Sequence, residues 1–136
     1  MSRKILLLVG AMNSGGAERV AANLANAWVG RGDQVTLVAT YSGRGECFYK
    51  LSGDVEFCYL ADMVAHSGRQ NPLRQIKRLV ALRRLIKATQ PDVILSFLTN
   101  VNIAALMASC YSGYPTIVSE RNYPPIQLEG WFYKCL

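Results

Sequence analysis

Ten residues that could bind a ligand fall into three short clusters, each at the end of an apolar stretch or just after it. Backbone N–H groups, hydroxyls and side-chain amides hydrogen-bond to oxygen atoms, and an arginine grips a phosphate or carboxylate with two parallel bonds. The clusters therefore predict a site for a ligand rich in hydroxyls or carrying an anionic group. They comprise Asn13, Ser14, Gly15 and Gly16; Ser96, Thr99 and Asn100; and Glu120, Arg121 and Asn122.

The glycines of the first cluster resemble two nucleotide-binding motifs and satisfy neither. Gly10 and Gly15 have the spacing of a phosphate-binding P-loop, but Gly16 and Ala17 stand where lysine and a hydroxyl belong. A dinucleotide fingerprint needs glycine where Met12 stands, and an acid after the second strand, which is missing. An ATPase, a GTPase and a classical NAD-binding protein are thus disfavoured. A tight strand-to-helix turn without a ligand remains the alternative interpretation of the paired glycines, whose freedom would let the backbone turn sharply.

The elements that position these clusters are visible in the apolar periodicity. Strands are predicted over 5–9, 34–40, 55–60, 92–98 and 115–119, and helices over 17–30, 69–87 and 103–109, with Thr99 or Asn100 as the cap of the last helix. Alternating strands and helices predict an α/β fold, a doubly wound parallel sheet with helices on both faces. In such sheets a ligand lies outside the carboxyl ends of the strands, where all three clusters fall.

Composition places the chain among globular proteins of one domain. It has 136 residues, half of them hydrophobic, and no apolar run near the roughly 20 residues that a membrane span needs. Without a recognisable signal peptide, we expect a cytoplasmic location. The four cysteines are widely spaced and His66 is the only histidine, so we expect no metal site, no Cys/His nucleophile pair, and buried, reduced thiols.

Much of the net charge of +6 lies in one segment, 69–87, which has seven cations and no acid. Its apolar residues recur at helical spacing, which predicts an amphipathic helix. One interpretation is a surface helix packed on the sheet. The other is a docked helix whose cations face an anionic membrane. Nucleic acid is disfavoured as a partner because no aromatic residues interleave with the cations. The membrane-facing residues would be Arg74, Lys77, Arg78, Arg83, Arg84 and Lys87.

Three segments together resemble the N-terminal domain of glycosyltransferase family 4, retaining sugar transferases of the GT-B type. They read KILLLVGAMNSGGAERVAANLANAWVGRGDQVTLVAT, PDVILSFLTNVNIAAL and PTIVSERNYP, and the likeness covers nearly the whole chain. The SERN turn looks most like that of members building bacterial surface polysaccharides and lipid-linked glycans. The resemblance implies one half of a two-domain enzyme: residues 1–136 would bind a saccharide or lipid-linked glycan acceptor. The second domain would bind a nucleotide sugar, expected to be a UDP-sugar, without a metal or other cofactor.

Departures from the family pattern limit that expectation. The family's pair of glutamates separated by seven residues belongs to the second domain and is not found here, and His66 does not match the histidine that many members carry. We therefore expect this polypeptide alone to be inactive as a hexosyltransferase, and we name no catalytic residue. The apolar pattern of 128–136 predicts a helix that stops without a cap, as in a cut chain. The alternative function is a non-enzymatic subunit that pairs with a separate donor-binding subunit.

Overall fold

The computed structural model describes residues 1–41, 47–64 and 72–120. The strands are β1 (Lys4–Val9), β2 (Gln34–Ala39), β3 (Glu56–Tyr59), β4 (Val93–Phe97) and β5 (Thr116–Ser119). The α-helices are α1 (Gly16–Gly30), α2 (Pro72–Thr89) and α3 (Thr99–Ser109), and a short 3-10 helix covers Leu60–Met63. The 3-10 helix was not predicted from the sequence. The predicted helix over 128–136, together with Arg121 and Asn122, lies outside the described residues.

The five strands form one parallel sheet in the order β3-β2-β1-β4-β5. Strand β1 lies at its centre, where Leu7 is in register with Leu37 of β2 and with Leu95 of β4. A fully apolar central strand is the composition expected when both faces of a parallel sheet are covered. The predicted α/β fold with a doubly wound, Rossmann-like sheet is confirmed.

Side chains alternate across β1, and each face of the sheet has its own apolar core. Ile5, Leu7 and Val9 pack with the small residues of α1 on one face. Leu6 and Leu8 pack with residues of α2 and α3 on the other face. The prediction of helices on both faces is therefore confirmed, with one helix on the first face and two on the second.

The helix ends agree with the sequence prediction at two places and differ at a third. Helix α1 ends at the Gly30-Arg31-Gly32 turn, where Gly32 takes φ +92°, a value that favours glycine. Helix α2 ends ahead of Pro91, as the geometry preceding a proline requires. The cap predicted for α3 is wrong: its N-cap is Leu98, with no capping bond from a side chain of the described residues, and Thr99 is already helical.

Helix α2 buries only part of its apolar surface. Ala81, Leu82 and Ile86 are buried against the sheet and α3. Leu73 and Ile76, by contrast, are each more than half exposed. The expectation of one packed apolar face is thus correct for the C-terminal half of α2 and wrong for its N-terminal half. Among the described residues, no helix is long and apolar enough to cross a membrane.

Candidate functional site

The sheet order creates a crevice at the carboxyl ends of β1 and β4. These strands are neighbours in the sheet. From β1 the chain continues to β2 and β3 at one edge, and it then returns to β4 and continues to β5 at the other edge. Ligands of open α/β sheets bind at such a reversal of strand order. The three predicted clusters follow β1, β4 and β5, which are consecutive in the sheet. Their predicted convergence on one rim therefore has a basis in the topology.

The loop between β1 and α1 is anchored by two hydrogen bonds from Phe48 and Tyr49. Met12 is buried, and its carbonyl accepts a hydrogen bond of 2.9 Å from the backbone N–H of Phe48. The phenol of Tyr49 donates to the Gly15 carbonyl at 2.9 Å. Asn13 and Ser14, between these two anchors, are exposed. The two hydrogen bonds thus hold the backbone of the loop, while its two polar side chains are exposed to solvent.

Gly15 and Gly16 do not give this loop a left-handed turn. Gly15 is the N-cap of α1 with φ −83°, a value open to any residue, and a Cβ on Gly16 would meet no atom within 4 Å. Neither glycine takes a left-handed conformation, so the predicted sharp turn does not depend on a positive φ at these two positions. On Gly15, a Cβ would collide with the carboxylate of Glu18. Glu18 thus folds back over the first turn of α1, where a negative charge is favoured by the helix dipole.

Tyr41 connects three elements of the rim. It follows β2, and its backbone N–H donates to the Gly10 carbonyl at 2.9 Å. Its phenol donates to the carbonyl of Asn100 in the first turn of α3 at 3.2 Å. The guanidinium of Arg78, from α2, lies 5.5 Å from the centre of the Tyr41 ring, within the range of a cation–π contact. Arg78 is accordingly half-buried, whereas Arg74, Lys77, Arg83, Arg84 and Lys87 are exposed.

A cavity of about 290 Å³ lies between α2 and α3, beside the contact of Arg78 with the Tyr41 ring. Tyr41 and Arg78 contribute polar groups to its wall, and Leu82, Ile103 and Met107 contribute apolar surface. A second groove, of about 550 Å³, runs along the other side of α2 and is lined by Met63, Val64, Ile76, Lys77, Val80, Ala81, Arg84, Leu85 and Ala88. Both spaces place apolar side chains next to cations.

Ser96, the first residue of the second predicted cluster, belongs to a buried polar network. The Ser96 hydroxyl donates to Asn102 Oδ1 at 2.7 Å, and Asn102 Nδ2 donates to the Ser119 carbonyl at 3.2 Å. Ser96 has no exposed surface and Asn102 is 7% exposed. The prediction that Ser96 contacts a substrate is therefore wrong, because α3 covers its side chain. Ser96 instead supports Asn102.

The remaining predicted residues of this rim are accessible. Asn100 is exposed in the first turn of α3, and Glu120 is exposed just beyond β5. The Thr99 hydroxyl donates to Glu120 Oε2 at 2.8 Å, which joins the second cluster to the third. Arg121, the neighbour of Glu120 in the third predicted cluster, lies outside the described residues. A carboxylate and a hydroxyl so joined offer hydrogen-bonding partners for a sugar.

A scan against protein families finds that residues 14–134 match the model described as Glycosyltransferase Family 4. This chain belongs to Glycosyltransferase Family 4. The match runs from Ser14 in the β1–α1 loop past β5, so the rim residues described above form part of the matched region, apart from Gly10, Met12 and Asn13.

Two known proteins place this family domain in a larger context. A Campylobacter jejuni protein is 34% identical over 119 residues. It is named GalNAc-alpha-(1->4)-GalNAc-alpha-(1->3)-diNAcBac-PP-undecaprenol alpha-1,4-N-acetyl-D-galactosaminyltransferase, and the match covers 88% of this chain and 32% of that protein. The chain thus spans about a third of that relative. MurG of Acinetobacter baumannii superposes with a TM-score of 0.60 at 21% identity, over 92% of this chain and 38% of MurG. That likeness shows the fold, a Rossmann-like half of a GT-B architecture.

Four residues that shape the rim were not identified from the sequence: Tyr41, Tyr49, Leu98 and Asn102. The position of Tyr41, directly after a predicted strand, was a usable signal because it falls at the ligand-binding edge. Tyr49 lies outside the predicted elements, and Asn102 lies inside a helix, where an asparagine gives no sign of its partners. Only the tertiary structure brings these two to the rim.

Three of the four cysteines lie among the described residues, Cys135 lies outside them, and the Cys47 thiol donates to the Tyr49 carbonyl at 3.0 Å. Cys47 and Cys58 are half-buried and Cys110 is exposed, so the expectation of buried thiols is wrong for Cys110. Desolvation, followed by the neighbouring carboxylates of Glu56 and Asp62, raises the pKa of Cys58 to about 11. Because a nucleophilic thiol needs a lowered pKa, Cys58 is unsuited to nucleophilic catalysis.

Proposed function

We propose that this chain is the acceptor-binding, N-terminal domain of a retaining glycosyltransferase that uses a nucleotide sugar to extend a saccharide or lipid-linked glycan in polysaccharide biosynthesis. The family match across 14–134 is the observation that carries the proposal. Three loops at the carboxyl edge of the sheet, with exposed hydrogen-bonding side chains, support it. The donor, a UDP-sugar, is bound mainly by the second domain, and no metal or cofactor is required from this one.

The acceptor groups can be assigned by charge. The Glu18 carboxylate lies against Gly15 at the N-terminus of α1, so an anion at that position would meet a like charge. Sugar hydroxyls suit this loop better, because Asn13 and Ser14 can both donate and accept hydrogen bonds. We assign the diphosphate of a lipid-linked acceptor to Arg121, whose fork of donors matches phosphate oxygens. Glu120, held by Thr99, then accepts from a hydroxyl of the acceptor.

In the transfer step this domain's task is positioning. Holding the acceptor hydroxyl towards the donor turns a bimolecular encounter into a reaction within one complex, which lowers the barrier. The exposed amides of Asn13 and Asn100 and the carboxylate of Glu120 are the groups available for that orientation. Stabilisation of the departing nucleotide diphosphate is assigned to the second domain. We assign no nucleophile to this domain.

Helix α2 supports a second part of the proposal, contact with the inner face of an anionic membrane by a cytoplasmic protein. Five exposed cations lie on the helix whose N-terminal half also exposes Leu73, Ile76 and Val80. Apolar side chains beside cations are the arrangement of helices that lie in a membrane interface. Each cation near such a surface contributes about 1 kcal/mol. Contact there would bring the rim towards an acceptor whose lipid is anchored in the bilayer.

Sedimentation with vesicles containing phosphatidylglycerol tests the membrane contact. Changing Arg74, Lys77, Arg83 and Lys87 to Glu should abolish binding that the unmodified protein shows. The matched control changes Arg3, Arg19, Arg31 and Lys50 to Glu, which gives the same net charge from exposed positions off α2. Equal losses in both variants would show that only the total charge matters. Unchanged binding in the α2 variant would refute the role of this helix.

Calorimetry with two ligands tests the acceptor assignment directly. The chain should bind a short-chain polyprenyl-diphosphate-linked N-acetylhexosamine and should bind UDP-N-acetylgalactosamine weakly or not at all, with NMR shifts from the acceptor at Gly15, Gly16 and Arg121. Changing Asn13 and Asn100 to Ala should weaken acceptor binding, while Asn26→Ala, on α1, serves as the control. Tight binding of the nucleotide sugar alone would mean that the domain's role is reversed. Acceptor binding without transfer by the natural full-length protein would favour the non-enzymatic subunit.

A further inference from the structure

Asn102 occupies an unusual position for a polar side chain. It lies one turn into α3, is only 7% exposed, and directs its amide towards the strands beneath α3. A buried amide that lost its partners would be costly, because each unsatisfied polar group carries a desolvation penalty. Asn102 avoids that cost by bonding Ser96 of β4 with its oxygen and Ser119 of β5 with its nitrogen. One side chain therefore ties two strands to one helix.

The same three segments are linked by backbone bonds around Leu98. The Leu98 N–H donates to the Ser119 carbonyl at 3.1 Å, and the Asn102 N–H donates to the Leu98 carbonyl at 2.8 Å. The Ser119 carbonyl thus receives two hydrogen bonds, one from Leu98 and one from the Asn102 amide. Leu98 itself takes φ +74° and ψ 146°, a conformation that residues other than glycine rarely adopt. A strained residue persists only where the surrounding contacts hold it.

Thr99 and Glu120 are the residues directly beyond this linkage. Thr99 follows Leu98 and Glu120 follows Ser119, and their side chains meet at 2.8 Å. Their separation depends on how β4, β5 and the start of α3 are held together, to which the Asn102 side chain contributes beside the backbone bonds of Leu98. No part of Asn102 needs to reach the ligand for this to occur.

We propose that Asn102 is a positioning residue that holds the Thr99–Glu120 pair in place for the acceptor. This inference deepens the proposed function and rests on it. Asn102 acts through Ser119 and Leu98, so its loss should weaken acceptor binding and leave donor binding unchanged. The donor site, assigned to the second domain, gives an internal reference within the same enzyme.

Asn102→Asp gives the sharpest test because the replacement has the same shape and its hydrogen-bonding capacity depends on pH. As a carboxylate it can accept from Ser96 but cannot donate to Ser119, and it meets the Ser119 carbonyl with a like partial charge. As a neutral acid it can do both. Burial raises the pKa of the introduced carboxyl, which brings its neutral form within reach of mild acid.

The measurement is transfer by the natural full-length protein from UDP-N-acetylgalactosamine to a short-chain polyprenyl-diphosphate-linked N-acetylhexosamine. At about pH 8 the Asn102→Asp variant should show an acceptor KM raised about tenfold, the loss typical of one buried hydrogen bond, with the donor KM within about twofold. At about pH 5.5 the acceptor KM should return towards that of the unmodified protein measured at the same pH.

Asn26→Asp is the matched control. Asn26 also bridges two backbone groups, donating to the Lys50 carbonyl at 2.9 Å and accepting from the Ser52 N–H at 2.8 Å, but it lies near the other end of α1. It should leave the ratio of the two KM values unchanged at both pH values. An acceptor KM that stays constant in Asn102→Asp, or that rises equally in Asn26→Asp, would overturn the positioning role.

Hydrogen exchange separates failure of this inference from failure of the proposed function. If the unmodified protein transfers no sugar between these substrates, the proposed function fails for them. The backbone amides of Leu98 and Asn102 still report on the linkage. Their protection should fall in Asn102→Asp at about pH 8 and recover at about pH 5.5, while Asn26→Asp leaves it intact. Unchanged protection in Asn102→Asp would refute the linkage without reference to activity.

Discussion

Replacement of Leu98 by glycine and by alanine should reverse the usual order of stability of these two residues. Leu98 has φ +74° and ψ 146°, where a Cβ crowds the backbone and the cost is about 1–3 kcal/mol. Both replacements remove the same side-chain packing, so its loss cancels when they are compared. Alanine keeps the Cβ and the strain, whereas glycine removes both. Relief of the strain in the glycine variant is opposed by the backbone entropy that glycine loses on folding, which costs about 0.5–1 kcal/mol relative to alanine.

The difference leaves the Leu98→Gly variant more stable than the Leu98→Ala variant by about 1 kcal/mol. Leu106, within α3 and 50% exposed, is the control. There glycine should be less stable than alanine by about 1 kcal/mol, because the helical backbone suits any residue. The expected swing between the two sites is therefore about 2 kcal/mol, well above the error of a denaturation experiment.

Urea denaturation of the four variants, followed by far-ultraviolet circular dichroism, measures the swing. The comparison uses midpoints at a common slope, since a changed slope would indicate a changed unfolded state. If glycine is less stable than alanine at position 98 by the same amount as at position 106, Leu98 is not strained. The turn between β4 and α3 would then need a different backbone, and the linkage through Ser119 would lose one of its supports.

Three further predictions concern the Tyr49 anchor and the thiols. Tyr49→Phe removes the donor to the Gly15 carbonyl and should lower the free energy of unfolding by about 0.5–1.5 kcal/mol. The control Tyr111→Phe, at a side chain that is 98% exposed, should leave the free energy of unfolding unchanged. Equal effects of the two variants would refute a stabilising role of the Tyr49–Gly15 hydrogen bond. Iodoacetamide at about pH 8 should alkylate exposed Cys110 well before Cys58, whose pKa of about 11 leaves roughly one thiol in a thousand ionised. Since folding raises the Cys58 pKa above its ordinary 9.0, the folded chain binds that proton more tightly. Its contribution to stability is present below about pH 9 and is lost as the pH rises through about 11, which a Cys58→Ser variant would not show.

The fold was predictable because its signals are local and repeated. The apolar β1 and the alternation of strands with helices required a covered parallel sheet, and the turn at Gly32 and the proline at 91 marked helix ends. The packing of α2 was harder to predict. Its apolar residues have the same spacing along the whole helix, but the fully buried ones, Ala81, Leu82 and Ile86, all lie in the C-terminal half. Spacing alone does not say which part of a helix its neighbours cover.

The site was predictable in place and less so in its residues. Three clusters at strand ends located the rim, since parallel strands bring all their carboxyl ends to one edge. Whether a polar residue near a strand end faces solvent depends on which strand lies beside it and in which register. Ser96 is in register with Leu8, whose side chain faces α2 and α3, so Ser96 faces the same way and is covered. The sequence alone does not show that Ser96 and Leu8 lie side by side on neighbouring strands.

The same dependence on pairing explains why Asn102 could not be predicted from the sequence. An asparagine in the first turns of a helix is usually a surface residue or a cap. The residue type therefore gives no sign that this particular asparagine is buried. Its burial follows from α3 lying over β4, and its partners follow from β5 lying beside β4. Two strands and a helix must therefore be assembled before this side chain has any function. Residues of this kind, buried one layer beneath an exposed pair, are where changes in acceptor preference should arise without any change in the residues that touch the ligand.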